Sequence, residues 1–146
     1  MFTGKYRHSL DDKNRIIVPS KFRTMLDGRF MATRGLDGCL ACYPSDEFTR
    51  YIDGLSSLPV EKREVRQYLR MILANAVECE MDSQGRVVIP QELRESAAIK
   101  KDVVIIGARN RFEVWAQDVY DKFEQDTSPL LEKLAEGLAD MGLKGS

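Results

Sequence analysis

Two short stretches of the chain carry the residue types best suited to binding chemistry, and both have the same spacing. Asp11 and Arg15 are followed by an aliphatic triplet and a proline, and Asp82 and Arg86 repeat this arrangement later in the chain. The residues identical in the two copies are Asp11 and Asp82, Arg15 and Arg86, Pro19 and Pro90, and Arg23 and Arg94. A guanidinium group can donate paired hydrogen bonds to a guanine edge or anchor a protein interface. The repeated arginine therefore marks each stretch as a candidate binding loop.

Each stretch has the composition of a tight turn that leads into a strand. Asp11 and Asp82 can accept a hydrogen bond from the backbone two residues on, which closes an Asx turn. Asn14 and Gly85 stand at equivalent places and readily accept φ > 0, so we predict a left-handed backbone there. A β-branched strand follows, and proline ends it and presets the first turn of a helix. We expect the arginine to leave the loop tip with its side chain outward; a hairpin tip that merely tolerates arginine is the alternative.

The internal repeat predicts two copies of one module in a chain of 146 residues. Because about seventy residues form only a marginal domain, we expect the two modules to share one core. The predicted fold class is α+β, mainly β, with short helices beside the strands. The predicted division is a first module over 1–54, a linking helix over 55–75, a second module over 76–126, and a C-terminal helix with a frayed tail over 127–146.

Periodicity and turn signals place the elements of each module. The predicted strands are Phe2–Leu10, Arg15–Val18, Phe30–Thr33, Cys39–Tyr43, Ala76–Met81, Arg86–Ile89, Val103–Ile106 and Arg111–Trp115. The predicted helices are Ser20–Leu26, one from Pro44 that stops at Gly54, Leu58–Ala74, Gln91–Ala97, Asp118–Asp126 and Pro129–Met141. Tyr43 and Trp115 fall at equivalent places and are predicted to be core anchors.

The charges are unevenly distributed although the net charge is only −1. Residues 1–34 have a basic excess and the segment after Trp115 has an acidic excess, which predicts one basic and one acidic face. A net charge near zero argues weakly against a nucleic-acid partner, whereas the basic segment argues for one. The sequence has neither a signal-peptide pattern nor an apolar run of membrane-spanning length, so we expect a cytoplasmic protein with no membrane partner.

Catalytic or metal chemistry has little support in the sequence. Cys39 and Cys42 have the spacing of half a metal site or a redox pair, but residues three apart on a strand point to opposite faces. His8 is the only histidine, and the chain has no glycine-rich phosphate loop. We therefore predict no enzyme activity, no catalytic residue, no metal and no cofactor, and we interpret the cysteines as small buried hydrophobes.

The paired Asp-x-x-x-Arg loops, each followed by an aliphatic triplet, proline and a short helix ending in arginine, resemble the SpoVT/AbrB-type DNA-binding module. Two such modules in a chain that starts Met-Phe-x-Gly and ends in a helical tail resemble the bacterial MraZ family over nearly the whole length. The resemblance implies swapped-hairpin-type β modules, a ring-like homo-oligomer, and a nucleoid-associated transcriptional regulator of the division and cell-wall gene cluster, acting on promoter repeats that include its own. Asn14 departs from the usual family glycine, and Asp12 from a small residue.

The resemblance and the residue chemistry together assign the candidate site. The cationic loop residues are the DNA-facing positions that the resemblance implies: Lys13, Arg15 and Arg86. Arginine suits guanine and lysine suits phosphate. Further polar loop residues are expected to make weaker contacts: Asn14, Ser83 and Gln84. The remaining loop residues are assigned to holding the turns: Asp11, Asp82 and Gly85. The two aspartates are not expected to face DNA, because phosphates repel a carboxylate. An assembly scaffold whose loops bind protein is the alternative function.

Overall fold

Six antiparallel strands form the main sheet of the protein, as seen in a computed structural model that describes residues 1–144. The strands are β1 (Lys5–Ser9), β2 (Arg15–Ile17), β3 (Arg29–Arg34), β4 (Leu40–Tyr43), β5 (Val77–Glu80), β6 (Arg86–Val88), β7 (Asp102–Gly107) and β8 (Phe112–Ala116). The helices are α1 (Ser20–Arg23), α2 (Ser45–Ser56), α3 (Arg63–Ala74), α4 (Gln91–Ser96), α5 (Gln117–Thr127) and α6 (Leu131–Asp140). Short 3₁₀ turns lie at Leu36–Gly38 and Ser128–Leu130. Gly145 and Ser146, the end of the predicted frayed tail, lie outside the described residues.

The two repeats exchange strands within one sheet. The strand order is β1-β7-β8-β4-β3-β5, so the first strand of each repeat lies beside the hairpin of the other. The remaining strands, β2 and β6, form a separate two-stranded antiparallel ribbon. This architecture confirms the predicted α+β, mainly β fold class. It also makes each repeat dependent on the other for its backbone hydrogen bonds.

Aromatic side chains from both repeats meet in a common core. Phe22 and Phe30 come from the first repeat and Phe112 from the second, and all three are almost fully buried. The rings of Phe22 and Phe112 lie 5.4 Å apart between centroids, and those of Phe30 and Phe112 lie 5.1 Å apart. Phe2 packs edge-on against Phe22. The predicted sharing of one core by the two modules is therefore confirmed.

Each repeat ends its hairpin with an aromatic residue under the helix that follows. Tyr43 is buried and stacks on Tyr51 of α2 with ring centroids 5.3 Å apart. Trp115 is buried and meets Tyr120 of α5 edge-on at 5.6 Å. The two predicted core anchors are confirmed, and they dock α2 and α5 at equivalent places. The Tyr51 and Tyr68 hydroxyls, 2.6 Å apart, add a hydrogen bond between α2 and α3.

Every predicted strand is present, but the ends of several elements differ. β1 begins at Lys5 instead of Phe2, because Gly4 takes a φ of 96° and breaks the extended run. The prediction that Gly54 stops α2 is wrong: the helix runs to Ser56, since Leu55 continues its half-buried apolar face. Helix α3 begins at Arg63 and not at Leu58. Helix α1 is also shorter than predicted and ends at Arg23.

The late start of α3 has a specific cause. The Arg66 guanidinium folds back and donates hydrogen bonds to the carbonyl oxygens of Val60 and Glu61, at 2.9 and 2.8 Å. These bonds hold the segment after Pro59 as turns ahead of the helix. None of the helices within residues 1–144 has the length and apolar character needed to cross a bilayer.

The three cysteines are buried free thiols. Burial raises the pKa of Cys39 to about 12 and that of Cys79 to about 11, and it raises the pKa of Cys42 well above its ordinary value. Thiols that stay protonated at neutral pH are poor nucleophiles and poor metal ligands. The interpretation of the cysteines as small buried hydrophobes is confirmed. Within residues 1–144 no group of histidine, cysteine and carboxylate side chains could hold a metal ion.

The strand exchange predicts that neither half of the chain folds by itself as a monomer. Residues 1–75 by themselves lack β5 and β7, the partners of β3 and β1, so we expect a disordered or self-associated fragment. Circular dichroism and light scattering measure this, and co-expression of 1–75 with 76–146 is the control, which should restore a folded complex. A folded monomer of 1–75 would contradict the prediction.

Candidate nucleic-acid interface

The two candidate loops lie at opposite ends of the β2–β6 ribbon. In the ribbon Ile16 is paired with Val87, and both are buried against the core. Beyond the strands, the Val18 N–H donates to the Gly85 carbonyl at 2.9 Å, and the Ile89 N–H donates to the Asn14 carbonyl at 3.1 Å. Each loop is thus hydrogen-bonded to the strand end of the other repeat. The ribbon fixes the position of one loop relative to the other.

One aspartate organises each loop through both of its carboxylate oxygens. Asp11 Oδ1 accepts hydrogen bonds from the backbone N–H groups of Lys13 and Arg15, both at 2.9 Å, while Oδ2 accepts from Arg15 Nε at 2.8 Å. The second loop repeats the pattern, since Asp82 Oδ1 accepts from two backbone N–H groups at 2.9 Å and Oδ2 from Arg86 Nε at 2.7 Å. The same residue therefore closes the turn and holds the arginine.

The predicted left-handed backbone is present in both loops. Asn14 has a φ of 59° and Gly85 has a φ of 78°. The two positions differ in their surroundings, because Asn14 is exposed and Gly85 is buried. A Cβ atom built on Gly85 would overlap the Arg23 guanidinium. The second loop thus needs glycine for its backbone and also for the space that Arg23 fills.

The two arginines do not extend outward as expected. Their side chains are folded back against the aspartates and are only 22% exposed in Arg15 and 33% in Arg86. The cause is the Nε hydrogen bond, which directs the guanidinium along the loop. The Nη groups hold no hydrogen bond to any residue within 1–144. Each arginine is therefore anchored at one edge, and the other edge of its fork has no hydrogen-bond partner in the described part of the chain.

The hydrogen bonds keep both carboxylates charged. Backbone donation from Arg15, with the Arg15 side chain and Lys13, lowers the pKa of Asp11 below its ordinary value. Donation from the Arg86 backbone and side chain lowers the pKa of Asp82 in the same way. Each aspartate is thus ionised at neutral pH and is paired with its own arginine. The pairing leaves little net positive charge on either loop.

The polar residues predicted as weaker contacts lie where the loops are open to solvent. Lys13 and Asn14 are exposed in the first loop, and Ser83 and Gln84 are exposed in the second. The first loop carries a cation at its tip, whereas the second has the neutral Gln84 at that place. The structure brings each of these residues next to its arginine but leaves the two tips at separate ends of the ribbon.

Arg23 and Arg94 were identical in the two repeats but were not predicted to belong to the site. Arg23 lies against Gly85 of the other repeat, and its Nε is buried with no hydrogen-bond partner among residues 1–144. Arg94 donates from Nη1 to the Ile89 carbonyl, next to the N–H that holds Asn14. Both therefore lie at the ribbon ends that hold the loops. The repeat of arginine at equivalent places was a sequence signal that both residues matter to the loops. The contact of Arg23 with the other repeat, however, depends on how the repeats exchange strands.

The expected separation into one basic and one acidic face is only partly present. Lys5 pairs with Glu124 at 2.7 Å, and Arg7 pairs with Asp121 at 2.8 Å. These pairs place the acidic helix α5 over the basic side of β1 within the same chain. The basic charge of β1 is therefore largely neutralised internally, which corrects the expectation that these residues form a free basic patch.

The fold and the loops define a two-repeat α+β protein in which each repeat supplies one Asp–Arg loop to a shared ribbon. A family model described as "MraZ protein, putative antitoxin-like" matches residues 1–71 and 72–140, once for each repeat. The chain belongs to the MraZ family.

Relatives named "Transcriptional regulator MraZ" are similar over 98% of this chain and 100% of their own length. They come from Natranaerobius thermophilus at 46% identity, Pediococcus pentosaceus at 44% and Caldanaerobacter subterraneus subsp. tengcongensis at 43%. The shared name is that of a regulator and not of an enzyme.

The different surroundings of Asn14 and Gly85 predict different tolerance to substitution. Gly85→Ala should lower the free energy of unfolding by about 1–3 kcal/mol, because it adds a strained φ and an overlap with Arg23. Asn14→Gly is the matched control and should change it by less than about 0.5 kcal/mol, whereas Asn14→Val should cost about 1–3 kcal/mol. Urea unfolding measures all three. A Gly85→Ala variant as stable as Asn14→Gly would refute this account of the second loop.

Proposed function

We propose that this protein is a sequence-specific DNA-binding transcriptional regulator without enzymatic activity, and that its two loops contact double-stranded DNA. The observation that carries the proposal is the repeated anchoring of Arg15 and Arg86. Each guanidinium is held at Nε by an aspartate and has its Nη edge free of protein partners within residues 1–144. Holding a side chain in place before binding reduces the entropy lost on binding.

The major groove is the part of DNA that suits this arrangement. It is wide enough for a two-stranded β-ribbon, and guanine presents there two acceptors that match an arginine fork. Arg15 and Arg86 act as the base-reading residues at the two ends of the ribbon. Lys13 contacts phosphate, and Asn14, Ser83 and Gln84 add polar contacts near each arginine. Asp11, Asp82 and Gly85 hold the turns.

The target follows from family membership and not from the geometry of the site. We propose that the protein acts in the nucleoid of the cytoplasm on promoter repeats of the division and cell-wall gene cluster, including its own promoter. The relatives named as transcriptional regulators support the class of function.

Removing either arginine should weaken specific binding without unfolding the protein. Arg15→Ala and Arg86→Ala should each cost about 1–3 kcal/mol of binding free energy, the value of one good base contact. Arg50→Ala is the control, because Arg50 is 72% exposed on α2, away from the ribbon. Fluorescence anisotropy with the upstream DNA and with a scrambled duplex, at two salt concentrations, measures the effect.

The same titrations separate the competing functions. Unchanged affinity in both arginine variants would sink the assignment of these residues. Binding of neither duplex above background would favour the alternative of an assembly scaffold. A melting temperature lowered by many degrees in either variant would instead indicate a structural arginine.

We further propose that several copies of the chain assemble into a ring that presents several loops to tandem sites. Each loop has little net charge, and affinity for DNA rises steeply with the number of phosphates neutralised. One copy should therefore bind one site weakly. Linked copies should bind tandem sites more tightly, because every contact after the first is intramolecular.

Exposed helical surfaces support self-assembly. Helix α6 leaves an apolar stripe uncovered, in which Leu134 is 48% and Leu138 is 49% exposed, and Glu132 and Glu136 lie on the opposite side of the helix. The outer side of α3 exposes further apolar residues together with cations, namely Met71, Leu73, Arg63 and Arg70. Two exposed apolar surfaces on different helices of one chain suit a head-to-tail contact, and such contacts can close into rings.

Weakening the apolar stripe should reduce the assembly. Leu134→Ser combined with Leu138→Ser should lower the molar mass measured by light scattering, and should remove the preference for three tandem sites over one. Leu58→Ser is the matched control, since Leu58 is 48% exposed in the segment between α2 and α3. A monomeric wild-type protein, or one that binds one site and three sites equally well, would contradict the ring.

A further inference from the structure

The outer face of the β2–β6 ribbon carries two exposed aliphatic side chains between the two anchored arginines. Ile17 is 46% exposed and Val88 is 52% exposed. On the opposite face of the same strands, Ile16 and Val87 are buried and attach the ribbon to the core. Packing of the protein therefore explains the inner aliphatic residues but not the outer ones.

The strand register puts the aliphatic residues and the arginines on one face. Side chains two apart on a strand share a face, and so do residues directly opposite each other. Arg15 lies opposite Val88, and Ile17 lies opposite Arg86. The outer face is thus a two-by-two pattern in which each arginine has an aliphatic neighbour across the ribbon, with Cβ atoms about 5 Å apart.

This pattern matches a property of the major groove. The base edges there present hydrogen-bond acceptors on guanine, and they present one apolar group, the 5-methyl group of thymine. A protein partner would have to desolvate two guanidinium groups to cover the aliphatic pair, which is costly without matching acceptors. The major groove of DNA offers both in one surface: acceptors for the guanidinium groups and a methyl group for the aliphatic side chains.

We propose that Ile17 and Val88 are specificity-determining residues that pack against the 5-methyl groups of thymines next to the guanines contacted by Arg86 and Arg15. The proposal rests on the DNA-binding function proposed above and adds a second kind of base recognition to the same ribbon. The arginine of one repeat and the aliphatic side chain of the other act as a unit, so each end of the ribbon recognises a guanine together with a neighbouring thymine.

The test replaces thymine by deoxyuridine in a mapped site, which removes only the methyl groups. Fluorescence anisotropy with a single-site duplex should show an affinity about fourfold lower for each methyl group that Ile17 or Val88 buries. The Ile17→Ala, Val88→Ala double variant should bind the thymine duplex as weakly as the wild type binds the uracil duplex. That variant should also bind both duplexes equally. Leu36→Ala is the control and should keep the full thymine preference.

The outcomes distinguish this inference from the function on which it rests. Equal wild-type affinity for the thymine and uracil duplexes, with the arginine variants still impaired, would overturn the methyl contact and leave the DNA-binding function standing. A double variant that keeps the thymine preference would also overturn it. So would a double variant whose molar mass falls in light scattering, since the pair would then be a subunit contact. Absence of specific binding by the wild type would overturn both proposals together.

Discussion

The pairing of β2 with β6 is the interaction on which the candidate site depends. It joins the second strand of one repeat to the second strand of the other, and its inner residues, Ile16 and Val87, are buried in the common core. Both loops end on this ribbon and are hydrogen-bonded across it. A ribbon of two short strands would be marginal in isolation, so its stability comes from the six-stranded sheet and the aromatic core behind it. The site therefore depends on the fold for its stability.

In each loop one aspartate side chain both holds the turn and orients the arginine that we propose binds DNA. The aspartate closes the turn through one oxygen and orients the arginine through the other. The cost of this arrangement is electrostatic, because each arginine is largely neutralised by its own carboxylate. The position of each proposed arginine contact is then fixed, whereas the long-range attraction of the loops to phosphate is weak. A protein built this way gains affinity by multiplying defined contacts, which agrees with the proposed assembly on tandem sites.

The two repeats are similar but not interchangeable. The first loop has an exposed Asn14 and a cation at its tip, whereas the second has a buried Gly85 covered by Arg23 and the neutral Gln84. The acidic helix α5 covers the basic side of β1. The second repeat's first strand, β5, instead exposes Glu78 and Glu80. These differences give the ribbon a direction, so that its two ends present different contacts to a partner.

The sequence by itself determined the repeat, the fold class, the Asx turns and the left-handed positions, because these depend on residues a few places apart. The aspartate hydrogen bonds to backbone N–H groups two residues on join neighbours in the chain, and spacing therefore predicts them. The Nε bonds that fold Arg15 and Arg86 back against the aspartates were not predicted. Only the tertiary structure decided which repeat supports which loop, since β2 pairs with β6 across the repeats. It placed Arg23 under Gly85, covered Lys5 and Arg7 with α5, and put Ile17 and Val88 on the outer face. Such contacts join residues far apart in the chain, and local periodicity carries no information about them.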